Sequence, residues 1–107
     1  MKLSTPFVAA LPLCSAWHLQ LYRDAQYKNV IEDRSGTLGQ PCKNLASKNV
    51  ASSMHWDAGA LNCEIVLYND DDCKEQGGIL GRSRGDWNLP QFSSGAQDKT
   101  NSYKINC

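Results

Sequence analysis

The chain has 107 residues, of which 41% are hydrophobic and 21% are charged, which is enough for one globular domain. Eleven lysine and arginine residues balance eleven aspartate and glutamate residues, and the basic residues form no cluster. A chain with this balance has no overall field that would draw it to nucleic acid or to an anionic membrane, so we expect no nucleic-acid partner.

Residues 1–16 have the three-part pattern of a secretory signal peptide. Lys2 gives a positive start, residues 6–13 are apolar, and small residues precede a cleavage site after Ala16. The apolar run is much shorter than the roughly twenty residues that span a bilayer, so we expect no transmembrane segment. A buried β-strand is the alternative, but its two prolines would each remove a hydrogen-bond donor from a sheet. We predict a secreted, extracellular protein with a single mature domain, residues 17–107.

The cysteines agree with export. Removal of the signal peptide removes Cys14 and leaves four cysteines, Cys42, Cys63, Cys73 and Cys107. Four cysteines in a short exported chain are typical of two disulfide bonds, for which three pairings exist. Zinc is the alternative, but no two of these cysteines have the close C-x-x-C spacing of zinc sites.

Short alternations of apolar and polar residues predict strands along the chain. The clearest cover residues 17–22, 53–56, 63–68 and 103–107. Stretches rich in glycine, serine, asparagine and proline lie between them and predict turns. Many short strands separated by turns are typical of an all-β sandwich or a small barrel.

The two halves of the chain resemble each other. Residues 17–28 align with residues 63–74 at an offset of 46, and residues 49–56 align with residues 98–105 at an offset of 49. The matched pairs include Leu21 with Leu67, Tyr22 with Tyr68, Asp24 with Asp70, Tyr27 with Cys73 and Ser53 with Ser102. A nearly constant offset indicates a duplicated unit of about four strands, neither copy of which could bury its apolar face alone.

The repeated unit resembles the Greek-key motif of βγ-crystallins. That motif has an aromatic residue, four further residues, a second aromatic residue, one residue and then glycine. Tyr22 and Tyr27 match both aromatic positions, and Asn29 stands at the glycine position, where asparagine tolerates a left-handed backbone. In the second unit Tyr68 matches, while a cysteine and a glutamate replace the second aromatic residue and the glycine.

Two later stretches extend this resemblance. Residues 84–87, Arg-Gly-Asp-Trp, are similar to the family's glycine–aspartate–aromatic stretch, and residues 98–105 resemble its last strand. The resemblance implies an all-β, βγ-crystallin-like sandwich of two Greek-key motifs, with two four-stranded antiparallel sheets. The motifs would cover about residues 17–58 and about residues 61–107.

The resemblance also implies a disulfide pairing and a kind of activity. The first and last strands of such a motif are antiparallel neighbours, which implies the pairs Cys63–Cys107 and Cys42–Cys73. Family members that are exported as small single domains include killer-toxin-like and antimicrobial proteins of microbes. The chain is similar to them in size and in its predicted export.

Calcium is the cofactor that the resemblance raises. Family members often bind it in a loop of pattern N/D-N/D-x-x-S/T-S with an oxygen from the other motif's hairpin, and calcium takes six or more oxygen ligands. Both loops here depart from that pattern, because residues 48–53 begin with lysine and residues 97–102 begin with glutamine. The candidate ligands are Asn49, Ser52, Asp70, Asp98 and Asn101. A solvated turn is the alternative interpretation of the acidic residues 69–72, so no cofactor is expected to be required.

Nothing in the sequence predicts catalysis. Each of the two histidines lies in a strand pattern beside tryptophan, no G-x-S-x-G motif is present, and oxidised cysteines supply no thiolate. Acidic pairs such as residues 32–33 could serve a glycosidase in principle, but a small sandwich offers no deep cleft. We expect a protein that is not an enzyme.

Binding is therefore the predicted activity. Trp56, Trp87 and Arg84 are the candidate binding residues, because tryptophan can stack on a sugar or anchor a protein partner. The alternative is that the tryptophans fill the core, with Trp87 the one expected at the surface. We expect a monomeric antimicrobial, killer-toxin-like or effector protein that binds a cell-wall glycan or a surface protein. A calcium-binding structural or stress domain and a cell-wall carbohydrate-binding module are the alternatives.

Overall fold

The computed structural model describes residues 16–107, so the predicted signal peptide lies outside the described residues except for Ala16. Eight strands are present: β1 (Trp17–Asp24), β2 (Lys28–Gly36), β3 (Gln40–Asn44), β4 (Ser53–Asp57), β5 (Glu64–Tyr68), β6 (Ile79–Ser83), β7 (Trp87–Leu89) and β8 (Ser102–Asn106). Two single-turn 3₁₀ helices, Asp71–Cys73 and Glu75–Gly77, lie between β5 and β6. In this part of the chain, no helix has the length and apolar character needed to cross a membrane.

The strands form two antiparallel sheets of four. The first sheet has the order β2-β1-β4-β7 and the second has the order β3-β8-β5-β6. The third strand of each half therefore pairs with the other half, since β3 lies along β8 and β7 lies along β4. The predicted all-β sandwich with two four-stranded sheets is confirmed.

The core lies between the two sheets and is built from the alternation of the central strands. Leu19 and Leu21 of β1 are fully buried and face the inner residues of β5 and β8. The rings of Trp17 and Trp56 also fill this space, with their centroids 5.9 Å apart. Trp56 is only 1% exposed, so it is a core residue and not a surface binding residue. Its position in the alternation puts it on the inner face of β4.

The two disulfides join Cys63 to Cys107 and Cys42 to Cys73, which is the pairing that the resemblance implied. The first bond lies within the second half, at one end of the paired strands β5 and β8. The second bond runs from β3 in the first half to the hairpin of the second half. The halves are therefore joined covalently as well as by exchanged strands.

Equivalent contacts recur in the two halves. The hydroxyl of Ser53 donates to the carbonyl of Asp24 at 2.6 Å and accepts the N–H of Tyr27 at 3.1 Å. The duplicate serine, Ser102, makes the equivalent contacts with the carbonyl of Asp70 and the N–H of Cys73, at 2.5 and 2.9 Å. Each serine thus fixes one folded hairpin to the last strand of its own half.

Candidate functional site

The outer face of the first sheet carries a cluster of three rings, Tyr22, Tyr27 and His55, which we call the aromatic–histidine cluster. The Tyr27 ring stacks on His55 with centroids 3.7 Å apart and planes 25° from parallel. Tyr22 meets both rings edge-on at 5.7 Å, and its hydroxyl lies 3.3 Å from Nδ1 of His55. Tyr22 is buried, whereas Tyr27 and His55 are half-buried and leave part of the stack open to solvent.

Local backbone geometry puts Tyr27 in this cluster. Gln26 and Tyr27 both have φ near +61°, a left-handed conformation that few residues other than glycine adopt. It folds the β1–β2 hairpin back over the sheet, where the hydroxyl of Ser53 holds the Tyr27 N–H. The stack is therefore a product of the folded hairpin that the Greek-key resemblance implied.

A polar group lies on the neighbouring part of β1 and β2. His18 Nε2 is 2.6 Å from Oδ1 of Asp33, and the amide of Gln20 donates to Oδ2 of Asp33 at 3.2 Å. These two hydrogen bonds, the one to His18 above all, hold the pKa of Asp33 below its usual range. Burial raises the pKa of Tyr22, and the nearby Asp33 adds to that effect. The polar group thus presents a fixed carboxylate close to the aromatic–histidine cluster.

This surface was missed by the sequence analysis, which treated both histidines as ordinary strand residues. Its signal was present in the alternation of β1, where Leu19 and Leu21 face inward and the residues between and beside them face out. A partly exposed ring flanked by groups that donate and accept hydrogen bonds can bind a ring-shaped polar ligand.

In the first of the two loops considered for calcium, residues 48–53, side-chain nitrogen atoms contact the oxygen atoms that could otherwise bind a cation. The ammonium of Lys48 lies 2.7 Å from Oδ1 of Asp71 and 3.5 Å from the carbonyl oxygen of Asn101. The amide of Asn101 donates to Oδ1 of Asn49 at 2.9 Å and to the carbonyl of Asn69 at 2.7 Å. Each of these oxygen atoms therefore already accepts a hydrogen bond.

In the second loop, residues 97–102, a side-chain nitrogen atom likewise contacts the available oxygen atoms. The amide nitrogen of Gln97 contacts the hydroxyl of Ser52 at 2.5 Å and Oδ1 of Asp98 at 3.3 Å. The same Ser52 hydroxyl donates to Asp98 at 3.2 Å. The side chain of Asp70 takes no part in either loop, because it packs against Gly77, where a Cβ would come within 2.2 Å of it.

Solved structures that are similar to this chain include βγ-crystallin domains. A βγ-crystallin domain from Clostridium beijerinckii is 18% identical, with a TM-score of 0.59, over 83% of this chain and 97% of that one. This chain has the βγ-crystallin fold. A βγ-crystallin domain from Flavobacterium johnsoniae is 21% identical, with a TM-score of 0.56, over 81% of this chain and 91% of that one.

A third structure, from work on the evolution of the eye-lens βγ-crystallin domain fold, is 14% identical. It has a TM-score of 0.61 and covers 82% of this chain and 83% of that one. No family model and no curated protein sequence matches the chain. The TM-scores of these matches establish the βγ-crystallin fold. Their sequence identities are too low to transfer an activity, which is therefore proposed below.

The calcium that the βγ-crystallin resemblance raised does not fit the residues present. Of the candidate ligands, the structure brings Asn49 to Asn101 and Ser52 to Asp98, whereas the side chain of Asp70 packs against Gly77 and only its backbone carbonyl contacts the second loop, at Ser102. Within residues 16–107, no group of three or more aspartate, glutamate, histidine or cysteine side chains could hold a metal ion. A hard cation in the first loop would also face the ammonium of Lys48.

The remaining candidate binding residues lie elsewhere on the βγ-crystallin fold. Trp87 is half-buried on β7 and helps to line an apolar cavity of about 160 Å³, with Leu67, Leu80, Leu89, Phe92 and Ala96. Its ring packs over Gly81, where a Cβ would lie 2.6 Å from the ring. Arg84 is exposed and donates to the carbonyl of Asn62 at 3.4 Å. Trp87 therefore forms part of the wall of this cavity and is half-buried there.

Proposed function

We propose that this chain is a secreted, non-enzymatic binding protein that acts outside the cell in an antimicrobial or effector role. Two disulfides in a small all-β domain support export, because such bonds persist in oxidising compartments. The four cysteines of residues 16–107 all lie in these disulfides, so none supplies a thiolate for catalysis.

The aromatic–histidine cluster is the observation that carries this proposal. It offers a partly open stack of Tyr27 on His55, and the carboxylate of Asp33 and the amide of Gln20 lie on the same sheet face. A sugar ring presents an apolar face to such a stack and hydroxyl groups to its polar neighbours. We therefore take a cell-wall glycan as the target, bound on the outer face of the first sheet.

The calcium-binding alternative has less support. Lys48 and Gln97 place nitrogen donors in the two loops, and those donors already bind the oxygen atoms that a cation would need. The cavity beside Trp87 is small and apolar, so it does not suit a glycan chain.

The binding test uses Tyr27→Asn, because asparagine removes the ring and still tolerates the left-handed backbone at this position. We expect the wild-type protein to bind cell-wall polysaccharides on a glycan array and the variant to bind about tenfold more weakly or less. Arg84→Ala is the control, since it removes an exposed cation from the link before β7, at the end of the first sheet away from the Tyr27 hairpin. Equal binding by Tyr27→Asn and wild type would show that this face is not the binding site.

The biological role has its own test. Growth inhibition of fungi and damage to plant tissue would be measured with micromolar wild-type protein and with Tyr27→Asn. We expect an effect of the wild type that the variant loses. Absence of any effect, together with absence of glycan binding, would contradict the proposed function.

A further inference from the structure

The two side edges of the sandwich are equivalent in the duplication but are built from different residues. One edge lies between the outer strands β2 and β3, and the other lies between the outer strands β6 and β7. At the first edge, Glu32 of β2 accepts the hydroxyl of buried Tyr103 at 2.6 Å and lies 3.5 Å from the ammonium of Lys43 on β3. Polar and charged side chains therefore close the first edge.

Strand register shows which residues of the second edge correspond to these three. Leu21 pairs with Glu32, for example, and its duplicate Leu67 pairs with Gly81. By the same comparison, the residues that correspond to Glu32, Tyr103 and Lys43 are Gly81, Met54 and Leu89, in that order. The second edge thus has a glycine and two apolar residues where the first edge has its polar link.

An apolar cavity of about 160 Å³ lies at this second edge. Gly81 has no side chain to fill the space, and the ring of Trp87 packs over it. Leu67 and Phe92 of the lining are buried. The other apolar lining residues are half-buried, so the cavity reaches from the core to the surface: Leu80, Trp87, Leu89 and Ala96.

We propose that this cavity binds a small neutral molecule with one aromatic ring. An apolar cavity of about 150 Å³ in another protein stays dry and binds benzene, so the volume here suits a single ring. The rings of Trp87 and Phe92 in the lining favour an aromatic partner. Ser93 also lines the cavity, and its hydroxyl can exchange a hydrogen bond with a hydroxyl group on the ligand.

The charge and the cost of the cavity agree with this ligand. Within residues 16–107, no charged side chain lines the cavity, so an ion would lose its hydration there without gaining a partner. A void lowers stability in proportion to its volume, and a domain of this size has a narrow margin. The first edge shows that the same fold can be closed by side chains. An open apolar cavity at the second edge therefore favours a ligand that fills it.

The experiment titrates the ¹⁵N-labelled, disulfide-bonded protein with phenol and follows its amide and indole resonances. We expect saturable shifts of the Trp87 indole N–H and of the Leu80 and Leu89 amides, with a dissociation constant of about 1 mM or lower. Cyclohexanol carries the same hydroxyl on a ring that is not aromatic, and it should bind about fivefold more weakly.

Ala96→Leu places a larger side chain in the cavity and should weaken phenol binding about tenfold or more. Ala60→Leu is the matched control, because it makes the same change on the exposed link between β4 and β5 and should leave phenol binding unchanged. Ser93→Leu, which enlarges an exposed residue of the lining, is the second variant in case Ala96→Leu does not fold.

Two results would overturn the inference: no saturable shift at Trp87 in the wild type, or equal phenol binding by the wild type and a folded cavity variant. Equal affinity for phenol and cyclohexanol would overturn the assignment to an aromatic ring. None of these results bears on glycan binding, because the aromatic–histidine cluster lies on the outer face of the first sheet and the cavity lies between the sheets.

Discussion

A single tyrosine links the two sheets through the core. Tyr103 of β8 is fully buried, and its hydroxyl donates to Oε2 of Glu32 on β2 at 2.6 Å. Lys43 of β3 lies 3.5 Å from the same oxygen. Burial, followed by the hydrogen bond and charge of Glu32, raises the pKa of Tyr103 far above its usual range. The folded protein therefore keeps this phenol protonated where an ordinary tyrosine ionises.

This link predicts a loss of stability in alkali. Below about pH 10 Tyr103 is neutral in both states, so it adds no pH dependence; above it only the unfolded chain loses the proton. The free energy of unfolding should then fall by about 1.4 kcal/mol per pH unit because of this group. Between about pH 9 and 11, we expect the free energy of unfolding of Tyr103→Phe, measured by urea denaturation, to fall less steeply with pH than that of the wild type.

Tyr103→Phe should also be less stable than the wild type at neutral pH. Loss of the hydrogen bond to Glu32 should lower the free energy of unfolding by about 1–2 kcal/mol at pH 7. If the free energy of unfolding of Tyr103→Phe fell with alkaline pH as steeply as that of the wild type, Tyr103 would not be the cause of this pH dependence.

At the scale of elements, the central strands could be predicted from the sequence and the edge strands could not. The predicted strands at residues 17–22, 53–56, 63–68 and 103–107 correspond to β1, β4, β5 and β8. Each of these strands lies between two others and turns one face to the core, which favours an alternation of apolar and polar residues, although four of the five residues of β5 are buried. The edge strand β2 has no fully buried residue in nine, so burial imposes no such pattern on it.

The paired hairpins predict matched losses of stability. Ser53→Ala and Ser102→Ala each leave a hairpin N–H without its acceptor, which should cost about 1–3 kcal/mol. Ser53→Ala should cost at least as much as Ser102→Ala, because the Cys42–Cys73 disulfide also fixes the second hairpin. Urea denaturation at neutral pH measures both, with exposed Ser35→Ala on β2 as the control. A smaller loss for Ser53→Ala than for Ser102→Ala would contradict this ranking.

The candidate sites depended on contacts that no local pattern encodes. Tyr27 meets His55 only because the hairpin folds back, and Lys48 meets Asn101 across 53 residues of sequence. The sequence pointed to Asp70 for the first loop, but the turn places its neighbour Asp71 there instead. A shift of one residue in a tight turn reverses which side chain faces the loop, so such sites need the structure.

At the scale of the whole molecule, a small domain depends on its disulfides. A domain of about ninety residues buries only about 60–65% of the surface of its unfolded chain, which leaves a narrow margin of stability. The two bonds close stretches of 31 and 44 residues, and loops of that length restrict the unfolded chain by roughly 3–4 kcal/mol each.

Removal of one bond should therefore lower the free energy of unfolding by about 3–4 kcal/mol. The paired variants are Cys42→Ser with Cys73→Ser, and Cys63→Ser with Cys107→Ser, measured by urea denaturation. Removal of both bonds should leave the chain largely unfolded, since total stabilities are about 5–15 kcal/mol. A denaturation midpoint that reductant does not change would contradict this expectation.

The exchange of β3 and β7 has a consequence for the integrity of the chain. The link between β4 and β5 lies at the surface, and its Leu61 is 59% exposed. If the backbone were cut there, the two fragments would remain interleaved, each lending a strand to the other, and Cys42–Cys73 would still bond them. The fold therefore resembles an assembly of two interleaved fragments, and proteolysis at the exposed β4–β5 link should leave the two fragments associated.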